Sequence, residues 1–360
     1  MEKAYLVLQD GQVFEGLSFG ASIETVGELV FTTGMCGYIE TLTDPSYYGQ
    51  IVMQTYPLMG NYGIIEEDFE GACCVKGYVV RELCDTPSNF RCEYDLNTYL
   101  IQQNIPGICG VDTRALTRII REHGVMNATI CKEIPADLTV VKQYAIVGAV
   151  DAVTCTQSSI HGAVGESKYR VALLDYGAKA NIIRELQLRG CDVTVLSGKA
   201  SAEEVLALNP DGIMLSNGPG DPAENVYQIA QIAKFMGKVP MFGICLGHQL
   251  TALAMGGKTY KLKYGHRGVN QPVKEVSGLR TFITSQNHGY AVDDSSITRG
   301  VSSYVNANDL TCEGMDYPAD NAFTVQFHPE ACTGPKDTSF LFERFVSNME
   351  QYKTNMGGNQ

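Results

Sequence analysis

From residue 169 onward the chain alternates short apolar runs with amphipathic ones, and few folds accept that order. RVALLDYG (170–177) has the character of a buried strand ending in glycine, and AKANIIRELQLRG (178–190) is a helix closed by Gly190. CDVTVLS is a strand, SAEEVLALNP a helix, and DGIMLSNGPGD a strand running into a Gly-Pro loop. AENVYQIAQIAKFMG is a helix, KVPMFGI a strand, and LGHQLTALAMGG another helix. Parallel strands need a crossover, and crossover helices cover the sheet they span, so this rhythm predicts a mostly parallel, doubly wound sheet with helices on both faces. Ligands on such sheets bind beyond the carboxyl ends of the strands. Those ends are Asp175-Tyr176-Gly177, Asn217-Gly218-Pro219-Gly220 and Gly243-Ile244-Cys245.

The first half is different. YLVLQDGQVFEG alternates on both sides of Asp10-Gly11, a two-residue hairpin signal, and β-prone runs broken by Gly and Pro follow. Residues 94–103 and 113–123 form helices, the second with Asp112 as N-cap. The stretch TCTQSSIHGAVGESKY is small and polar. The expected organisation is therefore a β-rich α/β domain over residues 1–155, a linker over 156–168 and the alternating α/β domain over 169–355. A C-terminal helix from about 336 to 353 leaves TNMGGNQ as an unstructured tail. With 44% hydrophobic residues in 360, two proper cores are affordable.

No apolar run reaches the roughly 18 residues of a membrane span, and MEKAYLVLQDGQ resembles neither a signal nor a transit peptide. A cytoplasmic protein is expected. Its formal net charge of −13 argues against nucleic acid as a partner. The twelve cysteines show no paired C-x-x-C clusters, so no metal site is expected. Most should be reduced and buried, including Cys73 and Cys74 in the strand-like ACCVKGYVV.

One cysteine stands apart. Gly243-Ile244-Cys245-Leu246-Gly247 is the cysteine version of the G-x-S-x-G nucleophile elbow. A sharp strand-to-helix turn strains the nucleophile's backbone, and the glycines let neighbouring segments approach. The sulfur then sits at a helix N-terminus, which favours thiolate over a thiol whose free pKa is about 8.5. Simple packing of a small residue between glycines is the competing reading. A thiolate needs a base and an orienting acid. TVQFHPEA offers both: an alternating strand ends at His328, Pro329 stops the ladder, and Glu330 follows. Alone, His-Pro-Glu equally suits a surface turn, and His248 on the helix after the elbow is a second candidate base. The SNGPGDP loop is a weak phosphate cradle or a tight turn. Beside the elbow, its N–H groups and that of Leu246 suit an oxyanion.

Elbow, Gly-Pro-Gly loop and late His-Pro-Glu together resemble a class I glutamine amidotransferase domain. TLTDPSYYGQIV, YPLMGNYGI, GVDTRALTRIIREHG, GHRGVNQPV, SQNHGYAV and QFHPEACTGPKDTSFLFERF resemble the family of small, glutamine-hydrolysing subunits of carbamoyl phosphate synthetase, over nearly the whole chain. That resemblance implies Cys245 as nucleophile, His328 as general base and acid, and Glu330 as its orienter. It implies glutamine held by Ser46, Gly218, Gly220, Leu246, Gln249, Asn287, Gly289 and Tyr290, with the Leu246 and Gly218 N–H groups as oxyanion hole. On local grounds Ser46 and Asn287 are turn residues. The resemblance further implies a γ-glutamyl thioester, ammonia delivered to a large subunit in a heterodimer or a higher assembly, and no cofactor in this chain. ATP, Mg²⁺ and bicarbonate would belong to the large subunit, in pyrimidine or arginine biosynthesis. LLDYGAKANIIREL fits the family pattern, with Lys179 and Asn181 present. Two departures are Cys36, where Thr is usual, and Cys332, where Ser is usual. Rival readings are a glutaminase subunit for another synthase, a cysteine hydrolase, and a non-catalytic scaffold.

Overall fold

A computed structural model describes residues 1–357. It divides into two compact units, Met1–Val147 and Gly148 onward. The boundary falls before residue 155. The stretch expected to be a linker is part of the second unit and contributes an edge strand to its sheet.

In the first unit β1 (Lys3–Leu8), β2 (Val13–Gly20), β3 (Thr25–Thr32) and β4 (Gln50–Gln54) precede the short β5 (Leu58–Met59), β6 (Gly77–Val79) and β7 (Glu82–Leu83). β8 (Pro106–Cys109) and β9 (Met126–Cys131) follow, with helices α1 (Tyr38–Thr43), α2 (Leu96–Gln102), α3 (Thr113–His123) and α4 (Thr139–Gln143). Seven strands close into a barrel in the order β1-β2-β8-β6-β4-β3-β9, while β5 and β7 pair separately. The Asp10-Gly11 turn is wider than its sequence suggests. Residues 9–12 bridge the strands, Leu8 N–H donates to Gln12 O at 2.9 Å, and Gly11 takes φ +93°. Asp112 caps α3 as expected, accepting from the Arg114 and Ala115 N–H groups. Cys73 and Cys74 lie before β6 in irregular chain, because the strand starts only at Gly77.

The second unit opens with α5 (Ala149–Val153) and β10 (Ser159–His161). Strands β11 (Tyr169–Asp175), β12 (Cys191–Ser197), β13 (Gly212–Leu215) and β14 (Met241–Ile244) alternate with α6 (Ala180–Leu188), α7 (Ala202–Ala207), α8 (Val226–Phe235) and α9 (Leu246–Ala254). Then come β15 (Lys258–Glu275), β16 (Thr281–Asp293), β17 (Val301–Asn306), β18 (Cys312–Tyr317), β19 (Ala322–Val325) and α10 (Phe340–Gly357). One sheet runs β10-β12-β11-β13-β14-β19-β18-β16-β15-β17. Its β12-β11-β13-β14-β19 part is parallel, and β18, β16, β15 and β17 extend it as an antiparallel wing.

Strand alternation explains why both faces carry helices. Val171 and Leu173 of β11, Phe242 and Ile244 of β14, and Phe323 and Val325 of β19 pack with Ile182 and Leu186 of α6 and with Leu341, Phe342 and Phe345 of α10. The intervening Ala172, Leu174, Met241 and Ala322 pack with Val205 of α7, Ile232 and Phe235 of α8, and Leu246 and Leu250 of α9. The first four residues of the expected C-terminal tail, 354–357, continue α10, which begins at Phe340 rather than 336; the rest of the tail lies outside the described residues. Among the described residues no helix is long and apolar enough to cross a membrane.

Candidate active site

β14 is buried along its length and delivers Cys245 to the start of α9. Cys245 has φ +52° and ψ −101°, a left-handed backbone that L-residues seldom adopt. The flanking glycines explain how the turn fits. A Cβ on Gly247 would lie 2.5 Å from Leu215 O and 2.7 Å from Leu215 Cβ, and one on Gly243 would lie 2.9 Å from Thr324 Cγ2. The helix start is thus pressed onto two neighbouring strands, pinned by Cys245 N–H donating to Val325 O at 2.8 Å and Gly247 N–H donating to Ser216 O at 3.0 Å. Gly247→Ala should push α9 off β13, lowering stability by about 1–3 kcal/mol and cutting turnover; urea denaturation and steady-state assays of the same preparation check both.

None of the twelve cysteines is in a disulfide, but only five are buried (Cys109, Cys131, Cys191, Cys245 and Cys312), fewer than expected. Burial therefore does not single out Cys245; its backbone does. Its Sγ lies 3.8 Å from Asn287 O on β16.

His328 approaches the same strand from the neighbouring chain end. β19 pairs in parallel with β14, Val325 opposite Ile244, and stops at Val325, three residues earlier than the alternation suggests. The next residues stay pinned: Gln326 N–H donates to Glu313 O, and His328 N–H to Ser285 O, both at 2.9 Å. Cys245 and His328 thus meet β16 two residues apart. His328 Nδ1 is 2.7 Å from Glu330 Oε1, both side chains being almost wholly buried. His328 Nε2 is buried with no hydrogen-bond partner, which leaves it as the nitrogen available to a thiol or an amide.

Lys179 joins this pair, its Nζ 3.3 Å from His328 Nδ1 and 3.5 Å from Glu330 Oε1. Burial opposes ionisation of Glu330, but the His328 and Lys179 charges outweigh it and hold the carboxyl at about 2. His248, the alternative base, is fully buried, which drives its pKa down to about 3, and its Nδ1 is engaged with Thr324 Oγ1 at 2.8 Å. It packs α9 on the sheet.

The other candidates divide. Gly218 fits against the elbow: a Cβ there would lie 2.7 Å from Leu246 Cδ2 and against Tyr176 O. Leu246 opens α9, where first-turn N–H groups have no intrahelical acceptor. Gly220 takes φ +88° in the same loop. Gln249 donates to Tyr290 O and to Gln326 Oε1, each at 2.8 Å, tying α9 to β16 and to the segment after β19. Asn287, Gly289 and Tyr290 lie on β16 itself, Asn287 within a strand rather than a turn. Ser46 belongs to the first unit. It is buried in a 3-10 turn, its N–H donating to Asp44 Oδ1 at 2.9 Å, which is the local role that Asp44-Pro45 suggests. Cys332 is exposed two residues after Glu330, and Cys36 is exposed in the first unit.

Sequence reasoning gave no role to Lys179 or Asn217. Asn217 is fully buried, and its Oδ1 accepts from Lys179 N–H at 3.1 Å, linking the Gly-Pro-Gly loop to the start of α6. The sequence signals were position, since both sit just past the carboxyl ends of parallel strands, and, for Lys179, its place in the family-like stretch LLDYGAKANIIREL.

Two family models match this chain: "Carbamoyl-phosphate synthase small chain, CPSase domain" over residues 6–130 and "Glutamine amidotransferase class-I" over residues 172–348. Relatives named carbamoyl phosphate synthase small chain match almost end to end. That of Bacillus thuringiensis subsp. konkukian is 51% identical over 355 residues, 98% of this chain and 97% of the relative. That of Fusobacterium nucleatum is 50% identical over 97% of this chain and 99% of the relative, and that of Clostridium perfringens 50% over 96% and 99%. The chain therefore belongs to the carbamoyl phosphate synthase small-chain family, a small-chain domain followed by a class I glutamine amidotransferase domain.

Proposed function

We propose that this chain is the glutaminase subunit of a carbamoyl phosphate synthase and that Cys245, His328 and Glu330 carry the reaction. The observation that carries the reading is the buried His328–Glu330 pair, with Nε2 of His328 unpartnered, beside a cysteine held at φ +52°. His328 takes the Cys245 proton, and Sγ attacks the side-chain amide carbon of L-glutamine. The oxyanion rests on the N–H groups of Leu246 and Gly218. The tetrahedral adduct collapses, its C–N bond breaking as His328 returns the proton to the leaving nitrogen. Water, deprotonated by His328, then cleaves the γ-glutamyl thioester to give glutamate and the free thiol. Gly220, Gln249, Asn287, Gly289 and Tyr290 are the proposed glutamine contacts; that of Ser46 rests on the resemblance alone.

Ammonia must be kept from water and protonation, so it passes to a large subunit in a heterodimer or a higher assembly. In this reading the chain holds no cofactor for the reaction, and the ATP-, Mg²⁺- and bicarbonate-dependent steps belong to that partner, in the cytoplasm. The test is glutamate release from L-glutamine by the purified chain, alone and with a carbamoyl phosphate synthase large subunit. Release that accelerates with the partner is expected. No release in either condition overturns the reading, and turnover of peptides or esters without glutamine turnover replaces it with a different hydrolase.

A further inference from the structure

On β16, His288 stands between Asn287 and Gly289, and strand alternation turns it to the opposite face from its neighbours. It is buried, and its Nδ1–H donates to Tyr290 O at 2.8 Å. That leaves Nε2 as the lone-pair nitrogen of the neutral ring. Nε2 faces Gln286 Oε1 at 3.2 Å, a second acceptor. The Gln286 amide is fixed in this sense because its Nε2 donates to Glu313 Oε2 at 3.0 Å. On β15, His266 directs Nε2 to Asp309 Oδ2 at 2.8 Å and Nδ1 to Glu313 Oε1 at 3.3 Å. Glu313 on β18 is fully buried. The two imidazole rings lie 4.9 Å apart, nearly perpendicular, and one ligand atom from each of His266, His288 and Glu313 falls within 4.8 Å of the others.

We propose that His266, His288 and Glu313 form a binding site for a divalent transition metal of the zinc class, which staples β15, β16 and β18 together behind the strand that carries Asn287 and Gly289. Two imidazole nitrogens and a carboxylate are a common zinc donor set, with water in the fourth position. Each donor already has the outer partner that such sites use. Asp309 holds His266 Nε2–H, which aims Nδ1 inward; the Tyr290 carbonyl does the same for His288 Nε2; Asn306 and Gln286 brace Glu313. A cation among these atoms also relieves the acceptor-on-acceptor approach at His288 Nε2, and at His266 Nδ1 it takes a lone pair that the Asn306 amide otherwise approaches only at 3.4 Å. The Asp309 side chain is 44% exposed, which gives the ion a way in.

The competing occupant is a proton on His266, making the cluster a buried ion-pair network. Co²⁺ titration of the full chain in a Cys245→Ala background separates the two, with the visible spectrum reporting the donors and Zn²⁺ added to displace cobalt. One equivalent should bind with d–d bands and no sulfur-to-cobalt charge-transfer band, and should raise the melting temperature. Glu313→Gln should abolish binding, and Asp309→Asn, on the partly exposed surface, should weaken it by about 10–100-fold. If Glu313→Gln does not fold, Asp309→Asn decides. Absence of binding, a sulfur charge-transfer band on the bound ion, or affinity unchanged in the variants overturns the proposal and leaves the proton as occupant.

Discussion

The Cys245→Ser chain is expected to fold as the native chain does and to lose glutamine hydrolysis, kcat falling on the order of 10⁶-fold toward background, as when a triad nucleophile is removed. Serine nearly matches cysteine in size, and the strained φ of +52° belongs to the turn rather than to the sulfur, so the Val325 and Ser216 carbonyl bonds that pin it remain. The hydroxyl is far less acidic than a thiol and is not ionised near neutral pH. Melting curves check the fold, and coupled glutamate detection checks the rate. Intact-protein mass spectrometry on glutamine-loaded samples should show a γ-glutamyl adduct on the native chain and none on the variant. A variant within tenfold of native turnover would mean that the elbow only packs.

The α/β half was legible because its elements are long, periodic and joined by tight turns. Phe242 and Ile244 alternate with Met241 and Gly243 whether or not the sheet is known, and the side chains do sort onto its two helical layers. The barrel was not legible. Its parallel pairs β3–β4, β4–β6 and β6–β8 join short strands, and nothing local to a four-residue run such as β8 states its neighbours or whether the sheet closes. The linker failed for a related reason, since the three residues of β10 gain strand character only from pairing with β12. In the site, His328 and Glu330 could be read together because one residue separates them, and Cys245 because its glycines lie two positions away on either side. Lys179 sits 149 positions from His328, so their meeting depends on strand order alone. The same holds for His266, His288 and Glu313, which no spacing rule groups.

Glu330→Gln tests what that assembly does. The substitution keeps an acceptor for His328 Nδ1 but removes the charge that faces both His328 and Lys179. Proton transfer from Cys245 makes an imidazolium, and in the native chain that charge forms 2.7 Å from a carboxylate. In the variant it forms beside the Lys179 ammonium, 3.3 Å from Nδ1, without that carboxylate charge. The loss should therefore appear in kcat, about 10³–10⁴-fold by comparison with other triads whose acid is neutralised, with KM for glutamine little changed. The same carboxyl sets an acid-stability difference. Its folded value of about 2 lies below the ordinary 4.5, so the stability that it contributes is fully present above pH 4.5 and is lost as pH falls toward 2. The native chain should consequently lose more of its melting temperature than Glu330→Gln between pH 4.5 and 2, and the two curves should converge there. A variant that keeps kcat within tenfold, or whose curve runs parallel to the native one across that window, would show that Glu330 neither orients His328 nor carries its charge in the folded protein.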